Sequence, residues 1–240
     1  RRIVVVPRML AERYNEWGIR KERYLFAPNG VDPAEFDQVT PNRALWEGVL
    51  GGAPNLPIIL YVGHFYTWKG VYTLVEAARR LVGKAVVVLL GGTVENLQDM
   101  QDYLSKEGIT NVYPLSFVPR REVLKYIKSA DVLVLPNTAK EERSALYTTP
   151  IKLFEYMASG VPIVASDLPS FTGQLRHEEN ALLFFADDSH DLAEKISILG
   201  ESRELGKRLA RQARHDVEAH TWKSRAKHII DFIGNTTSAV

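Results

Sequence analysis

Two short stretches bring together side chains of unlike chemistry. In Tyr147-Thr-Thr-Pro-Ile-Lys152-Leu-Phe-Glu155, Lys152 and Glu155 stand three residues apart, a spacing that puts both on one face of a helix. Thr149 is placed to cap that helix and Pro150 to open it. Free amides at such a start, the helix dipole and the Lys152 ammonium favour an anion of the diphosphate type. One turn along, the Glu155 carboxylate can accept two hydrogen bonds from a vicinal diol such as a ribose. The spacing fits equally well an ordinary helical Lys–Glu pair, worth about 0.2–0.5 kcal/mol. The second stretch, Gly63-His-Phe-Tyr-Thr-Trp-Lys69-Gly70, follows an apolar run. A glycine after a strand lets backbone approach a ligand, and Lys69 at a helix start offers it a charge. The same residues also fit a plain glycine turn with a solvated lysine. Val71 after Lys69-Gly70 excludes a Walker loop, and no GxGxxG is present. Gly91-Gly92 closes another apolar run and by itself marks only a tight turn.

Other chemistries are excluded or weakly signalled. The 240 residues contain no cysteine, which removes disulfides, cysteine nucleophiles and thiolate metal sites. The six histidines form no HxxxH or HxH pair, so no metal is expected, and no GxSxG elbow is present. Thirty basic against 29 acidic residues leave a net charge of +1, without the field that non-specific nucleic-acid binding requires. Arg120, Arg121, Lys125 and Lys128 form a basic helical patch that reads as a solvated face. Arg203, Lys207, Arg208, Arg211 and Arg214 form a second stripe, read as surface, with attraction to a membrane surface as the alternative.

The elements that must position these residues alternate between short β-branched runs and longer helical periods, which predicts an α/β chain with a parallel sheet. Strands are expected at 3–6, 24–27, 57–62, 85–90, 111–115, 132–135, 161–165 and 181–185. Helices are expected at 9–17, 71–81, 93–106, 121–129, 151–159, 189–199, 202–215 and 222–233. In 71–81, Leu74, Ala77, Ala78 and Leu81 recur at three- and four-residue spacings opposite Arg79 and Arg80, the pattern of a helix lying on a sheet. The stretch from about 55 to 218 reads as one doubly wound unit, and such units bind ligands at the carboxyl ends of their strands. Residues 1–40 read as a β–α–β run ending in the turn-rich joint Pro28-Asn29-Gly30-Val31-Asp32, and 219–240 as a helix around Trp222 with a polar, frayed tail. The longest apolar runs fall far short of the roughly 20 residues a bilayer demands. The chain opens on Arg-Arg-Ile-Val rather than methionine, so it is expected to begin inside a longer protein.

Four motifs follow one another in order: Pro28-Asn29-Gly30-Val31-Asp32 with Phe36; Tyr61-Val62-Gly63 with Lys69-Gly70; Ala130-Asp131-Val132 with Leu135-Pro136; and Glu155-Tyr-Met-Ala-Ser-Gly160-Val-Pro-Ile-Val-Ala-Ser166-Asp167. Together they resemble the group 1 glycosyltransferases, retaining enzymes of the GT-B fold that use nucleotide-sugars. The resemblance runs from about residue 20 to residue 233. It implies a Rossmann-like donor-binding domain, the C-terminal half of that fold, over 41–218. Residues 1–40 would then be the end of the N-terminal, acceptor-binding domain plus a linker, and 219–240 a helix crossing back towards it. It also implies transfer of a glycosyl group from a UDP- or GDP-sugar to a carbohydrate or lipid-linked acceptor, in cell-envelope or exopolysaccharide synthesis. No metal or other cofactor is implied, and the setting would be cytoplasmic with possible peripheral membrane contact.

Residue by residue, Gly63 matches the glycine beside the donor phosphates and Lys69 the phosphate-binding lysine. Glu155 matches the second glutamate of the family's paired-glutamate pattern, the one placed on the ribose hydroxyls. His64 stands where the family usually has arginine, and Tyr147 where the first glutamate should be. Lys152 is then expected to supply the charge His64 lacks, and Lys69 and Lys152 to stabilise the leaving diphosphate. The expected donor-binding set is Gly63, His64, Lys69, Gly91, Tyr147, Thr148, Thr149, Lys152 and Glu155, with the base near 116–120. Two other readings fit part of the pattern, a non-catalytic sugar-nucleotide-binding module and a GT-B sugar-nucleotide epimerase.

Overall fold

The computed structural model describes residues 2–234. Its strands are β1 (Ile3–Val5), β2 (Tyr24–Phe26), β3 (Ile58–Val62), β4 (Val86–Gly92), β5 (Val112–Ser116), β6 (Val132–Leu135), β7 (Ile163–Ser166) and β8 (Leu182–Phe184). Its helices are α1 (Arg8–Glu16), α2 (Pro33–Asp37), α3 (Glu47–Leu50), α4 (Val71–Ala78), α5 (Val94–Glu107), α6 (Arg120–Ser129), α7 (Glu142–Ala145), α8 (Ile151–Ser159), α9 (Ser189–Glu201), α10 (Arg203–Asp216) and α11 (Trp222–Gly234). β1 and β2 form a small parallel pair, and the other six strands make one parallel sheet in the order β5-β4-β3-β6-β7-β8.

The sheet is covered on both faces because its strands are apolar on both. In β3, Ile58 and Leu60 join one core while Ile59 and Tyr61 join the other, as a two-residue period dictates. The first core takes in Phe154 and Met157 of α8, and the second Leu74 of α4 and Ile196 of α9. α4 buries Leu74, Ala77 and Ala78 as its spacing predicts, but its α-helical hydrogen bonding ends at Ala78, and Arg79–Leu81 tighten into a 3₁₀ turn. The short helices α2, α3 and α7 have no signal in the hydrophobic period, since four or five residues span about one turn. α2 is nonetheless capped, with Asp32 accepting from the Ala34 amide at 3.1 Å. Its Phe36, with Val31 and Trp46, is fully buried in the first core, so residues 31–46 pack as part of the main unit. The tail from 235 to 240 lies outside the described residues.

Candidate functional site

The strand order fixes where a ligand can enter. From β3 the chain builds outward to β4 and β5, then returns to β6 beside β3 and builds the other way to β7 and β8. The loops after β3 and β6 therefore diverge at a topological switch point, which opens a crevice at the carboxyl ends of the strands. The first holds Gly63–Gly70 and the second leads into α8, so the two stretches of interest meet there.

Glycine geometry draws the crevice floor together. Gly63, at φ +141°, donates its N–H to the Leu90 carbonyl at 2.8 Å. Gly91, at φ +117°, comes so near that a Cβ on it would sit 3.1 Å from the Gly63 carbonyl oxygen. Two backbones thus touch where side chains would hold them apart. At the other end of the loop, a Cβ on Gly70 would lie 1.7 Å from the Pro136 carbonyl oxygen, so glycine locks the β3 loop onto the β6 loop.

Lys152 rises from the first turn of α8 into this floor. Its Nζ donates to the Val62 carbonyl at 3.1 Å, lies 4.0 Å from the Tyr61 ring centre, and would sit 3.3 Å from a Cβ on Gly63. Burial lowers its pKa well below the ordinary lysine value, and the charge of Lys69 adds to this against the attraction of Glu155. Burial likewise lowers Lys69, whose Nζ is 5.6 Å from the Tyr66 ring and 5.3 Å from the Trp68 ring. Among the described residues neither ammonium has a carboxylate within ion-pair distance; both rest on aromatic faces, which attract cations without neutralising them. Lys152 is thus disfavoured in its charged form twice over, by burial and by the neighbouring Lys69, a combination that suits an anion site.

The start of α8 corrects one expectation. Pro150 occupies the cap position and the first helical residue is Ile151, without a capping side chain. Thr149 does not cap, because its hydroxyl donates to the Ser170 carbonyl at 3.1 Å and the residue is buried. The leading amides of the helix remain uncapped by side chains, which leaves the positive end of the dipole facing the crevice. Thr148 donates its hydroxyl to the Arg143 carbonyl at 2.8 Å, and Tyr147 reaches Glu142 at 3.3 Å, so both side chains tie the approach to α8 back onto α7.

Glu155 lies one turn further and is 7% exposed. Arg120 is its partner: exposed, as the reading of a solvated patch expects, it nonetheless donates from one guanidinium nitrogen to Glu155 and from another to Glu35 at 2.7 Å. A groove of about 950 Å³ opens beside Arg120, between residues 35–45 and α6. The next residue, Tyr156, is fully buried, and its hydroxyl oxygen accepts the Val62 amide at 2.9 Å, holding the end of β3 against α8. The basic stripe of α10 is surface as read: Lys207 pairs with Glu204, and Arg214 with Asp37 and Glu218.

Comparison with known proteins identifies the family of the chain. The family model described as "Glycosyl transferases group 1" matches residues 43–216. The chain belongs to that family. Among curated relatives, an N,N'-diacetylbacillosaminyl-diphospho-undecaprenol alpha-1,3-N-acetylgalactosaminyltransferase of Campylobacter jejuni is 29% identical over 161 residues, covering 67% of this chain and 40% of the relative. A D-inositol 3-phosphate glycosyltransferase of Nocardia farcinica is 24% identical over 234 residues, covering 93% and 49%. The chain thus spans less than half the length of these two relatives. A glycosyltransferase of Rickettsia africae superposes with a TM-score of 0.86 at 15% identity, over 100% of this chain and 64% of that one. Anabaena HepE, solved with UDP-glucose, superposes with a TM-score of 0.83 at 17% identity, over 98% and 64%. At those identities the likeness shows the fold, the Rossmann-like half of GT-B.

Within this group 1 chain, sequence reasoning missed two features of the crevice. His64, Tyr66 and Trp68 form a ladder of stacked rings, with centres 5.2 Å and 6.2 Å apart, and the Arg143 guanidinium lies 4.2 Å over Trp68. The alternate spacing of three aromatics was the available signal. Nothing local announces the pairing of Arg120 with Glu155, 35 residues away. Among the described residues, no helix is long and apolar enough to cross a membrane.

Proposed function

We propose that this chain is the donor-binding half of a retaining glycosyltransferase that takes its sugar from a UDP- or GDP-sugar. The observation that carries the reading is the meeting of Lys69, Lys152 and the uncapped start of α8 over the Gly63 turn, with Glu155 one helical turn away. Two cations and a helix dipole suit a diphosphate, and the carboxylate suits the ribose diol beside it. In transfer, the bond between the anomeric carbon and the diphosphate breaks and negative charge grows on the leaving oxygen. Lys69, Lys152 and the amides of Thr148, Thr149 and Ile151 stabilise that charge more than they stabilise the intact donor, which is how they lower the barrier. Gly63 and Gly91 let backbone close on the phosphates, and His64, Tyr147, Thr148 and Thr149 frame the crevice.

The acceptor, carbohydrate or lipid-linked, is assigned to an N-terminal domain of the longer protein, and the setting to the cytoplasmic face of the membrane in envelope or exopolysaccharide synthesis. The acceptors named for the relatives, an undecaprenol-linked sugar and an inositol phosphate, suit this reading.

A thermal-shift panel of UDP, GDP, ADP, dTDP and CMP tests it, with Glu155→Ala and Lys69→Ala as controls. A ligand at about 100 times its Kd stabilises by about 2.7 kcal/mol. For a domain of this size that is a rise of roughly 5–11 °C. A shift with UDP or GDP that both variants abolish is the expected result; no shift with any nucleotide refutes the reading.

A further inference from the structure

We propose that Arg120 is a positioning residue for ribose recognition: by bridging Glu155 to Glu35 it holds the Glu155 carboxylate turned to the ribose, so that the chain selects ribonucleotides over 2′-deoxyribonucleotides. The inference rests on the reading of Glu155 as the acceptor for the ribose hydroxyls and extends it to a residue outside the expected site.

A carboxylate as buried as Glu155 pays heavily for its charge unless a cation and hydrogen bonds attend it. Arg120 supplies both. It is the first residue of α6, following Pro119, and its planar fork addresses two carboxylates at once, Glu155 through Nη1 and Glu35 through Nη2 at 2.7 Å. The far end of the bridge is itself anchored, since Glu35 lies in the capped helix α2 beside the fully buried Phe36. The guanidinium is therefore held from both sides, and the carboxylate plane of Glu155 is set by it. Arg120 engages Oε1 of Glu155; no described residue donates a hydrogen bond to Oε2, which stays available to a hydroxyl.

The charged and titratable groups around Glu155 are few. Lys152 on the same helix attracts it but donates to the Val62 carbonyl, and the Tyr156 hydroxyl, next in sequence, is engaged by the Val62 amide. Glu35 of α2 lies beyond Arg120. α10 and the turn after it meet the other side of α8 through Ala213 and Val217, and Arg214 of α10 spends its charge on Asp37 and Glu218. Arg120 is thus the one cation in direct contact with the carboxylate among the described residues. Without it no side chain fixes the plane of the Glu155 carboxylate, and a carboxylate free to turn presents Oε2 less well to a diol.

The test is the affinity ratio between UDP and 2′-deoxy-UDP, and between GDP and 2′-deoxy-GDP, measured by calorimetry. Wild type is expected to prefer the ribonucleotide by about ten- to a hundredfold, the reach of one charge-assisted hydrogen bond. Arg120→Gln is expected to cut the preference to about threefold. Arg120→Lys keeps a cation and keeps most of the preference, and Arg120→Met serves if the glutamine variant does not fold. A merely structural role would lower both affinities together and leave the ratio unmoved. A neutral variant that retains the wild-type ratio overturns the proposal while leaving the ribose reading of Glu155 intact. A wild-type protein that binds the diphosphate without preferring ribose overturns the reading of Glu155, and the proposal with it.

Discussion

Replacing Lys152 by methionine separates a functional lysine from a structural one, because the two roles predict opposite signs for stability. The ammonium is desolvated, repelled by Lys69, and satisfied by one neutral acceptor, the Val62 carbonyl at 3.1 Å. Methionine follows a similar path with a soft, apolar end. Loss of the hydrogen bond costs about 0.5–1.5 kcal/mol. Relief of a buried ammonium returns several kcal/mol at most, and less here because the side chain is only partly buried. The net expectation lies between no change and about 2 kcal/mol of stabilisation, a Tm rise of up to about 8 °C. Binding moves the other way. A charge-assisted contact to phosphate is worth about 1.5–3 kcal/mol, so affinity for the nucleoside diphosphate falls about 10- to 150-fold. Differential scanning calorimetry and titration calorimetry on the same samples read both quantities. A Tm lowered by more than about 4 °C with affinity within about twofold of wild type would refute the argument and make Lys152 a structural residue.

Two further outcomes follow from the same geometry. Gly70→Ala places a Cβ 1.7 Å from the Pro136 carbonyl oxygen at φ +70°, a clash with backbone that no rotamer change relieves; at least 3 kcal/mol of destabilisation is expected, read as a lowered urea midpoint, and a near-wild-type midpoint contradicts it. Because burial lowers Lys152, the folded protein binds fewer protons than the unfolded chain between that depressed pKa and about 10.5, so this residue makes stability rise with pH across that window. A bound diphosphate favours the charged form of Lys152, so titrations within that window in buffers of different ionisation enthalpy should show proton uptake on binding that Lys152→Met removes; equal uptake in the variant assigns the proton elsewhere.

Much of the molecule was legible from residue order because its information is local. The eight expected strands appear within two residues at each end, since β-branched runs covered on both faces have few other solutions. Gly63, Lys69, Lys152 and Glu155 stood out through their neighbours in the chain: a glycine after a strand, a lysine at a helix start, two charges three apart. What local order left open was whether they meet. That was decided by the strand order β5-β4-β3-β6-β7-β8, which sets β3 beside β6 and brings two loops some 80 residues apart into one crevice. Local preference also misplaced one side chain and left the partner of another unseen. Thr149 has a cap's chemistry, yet the Ser170 carbonyl takes its hydroxyl. Arg120 belongs to a run of surface charges, yet the folded chain sets it against a buried glutamate. A hydrogen bond between distant residues leaves no trace in periodicity, because its partner is chosen by packing rather than by spacing. Sequence determined which chemistry the chain carries, and the tertiary structure decided which of those groups stand together and which are left without an opposite charge.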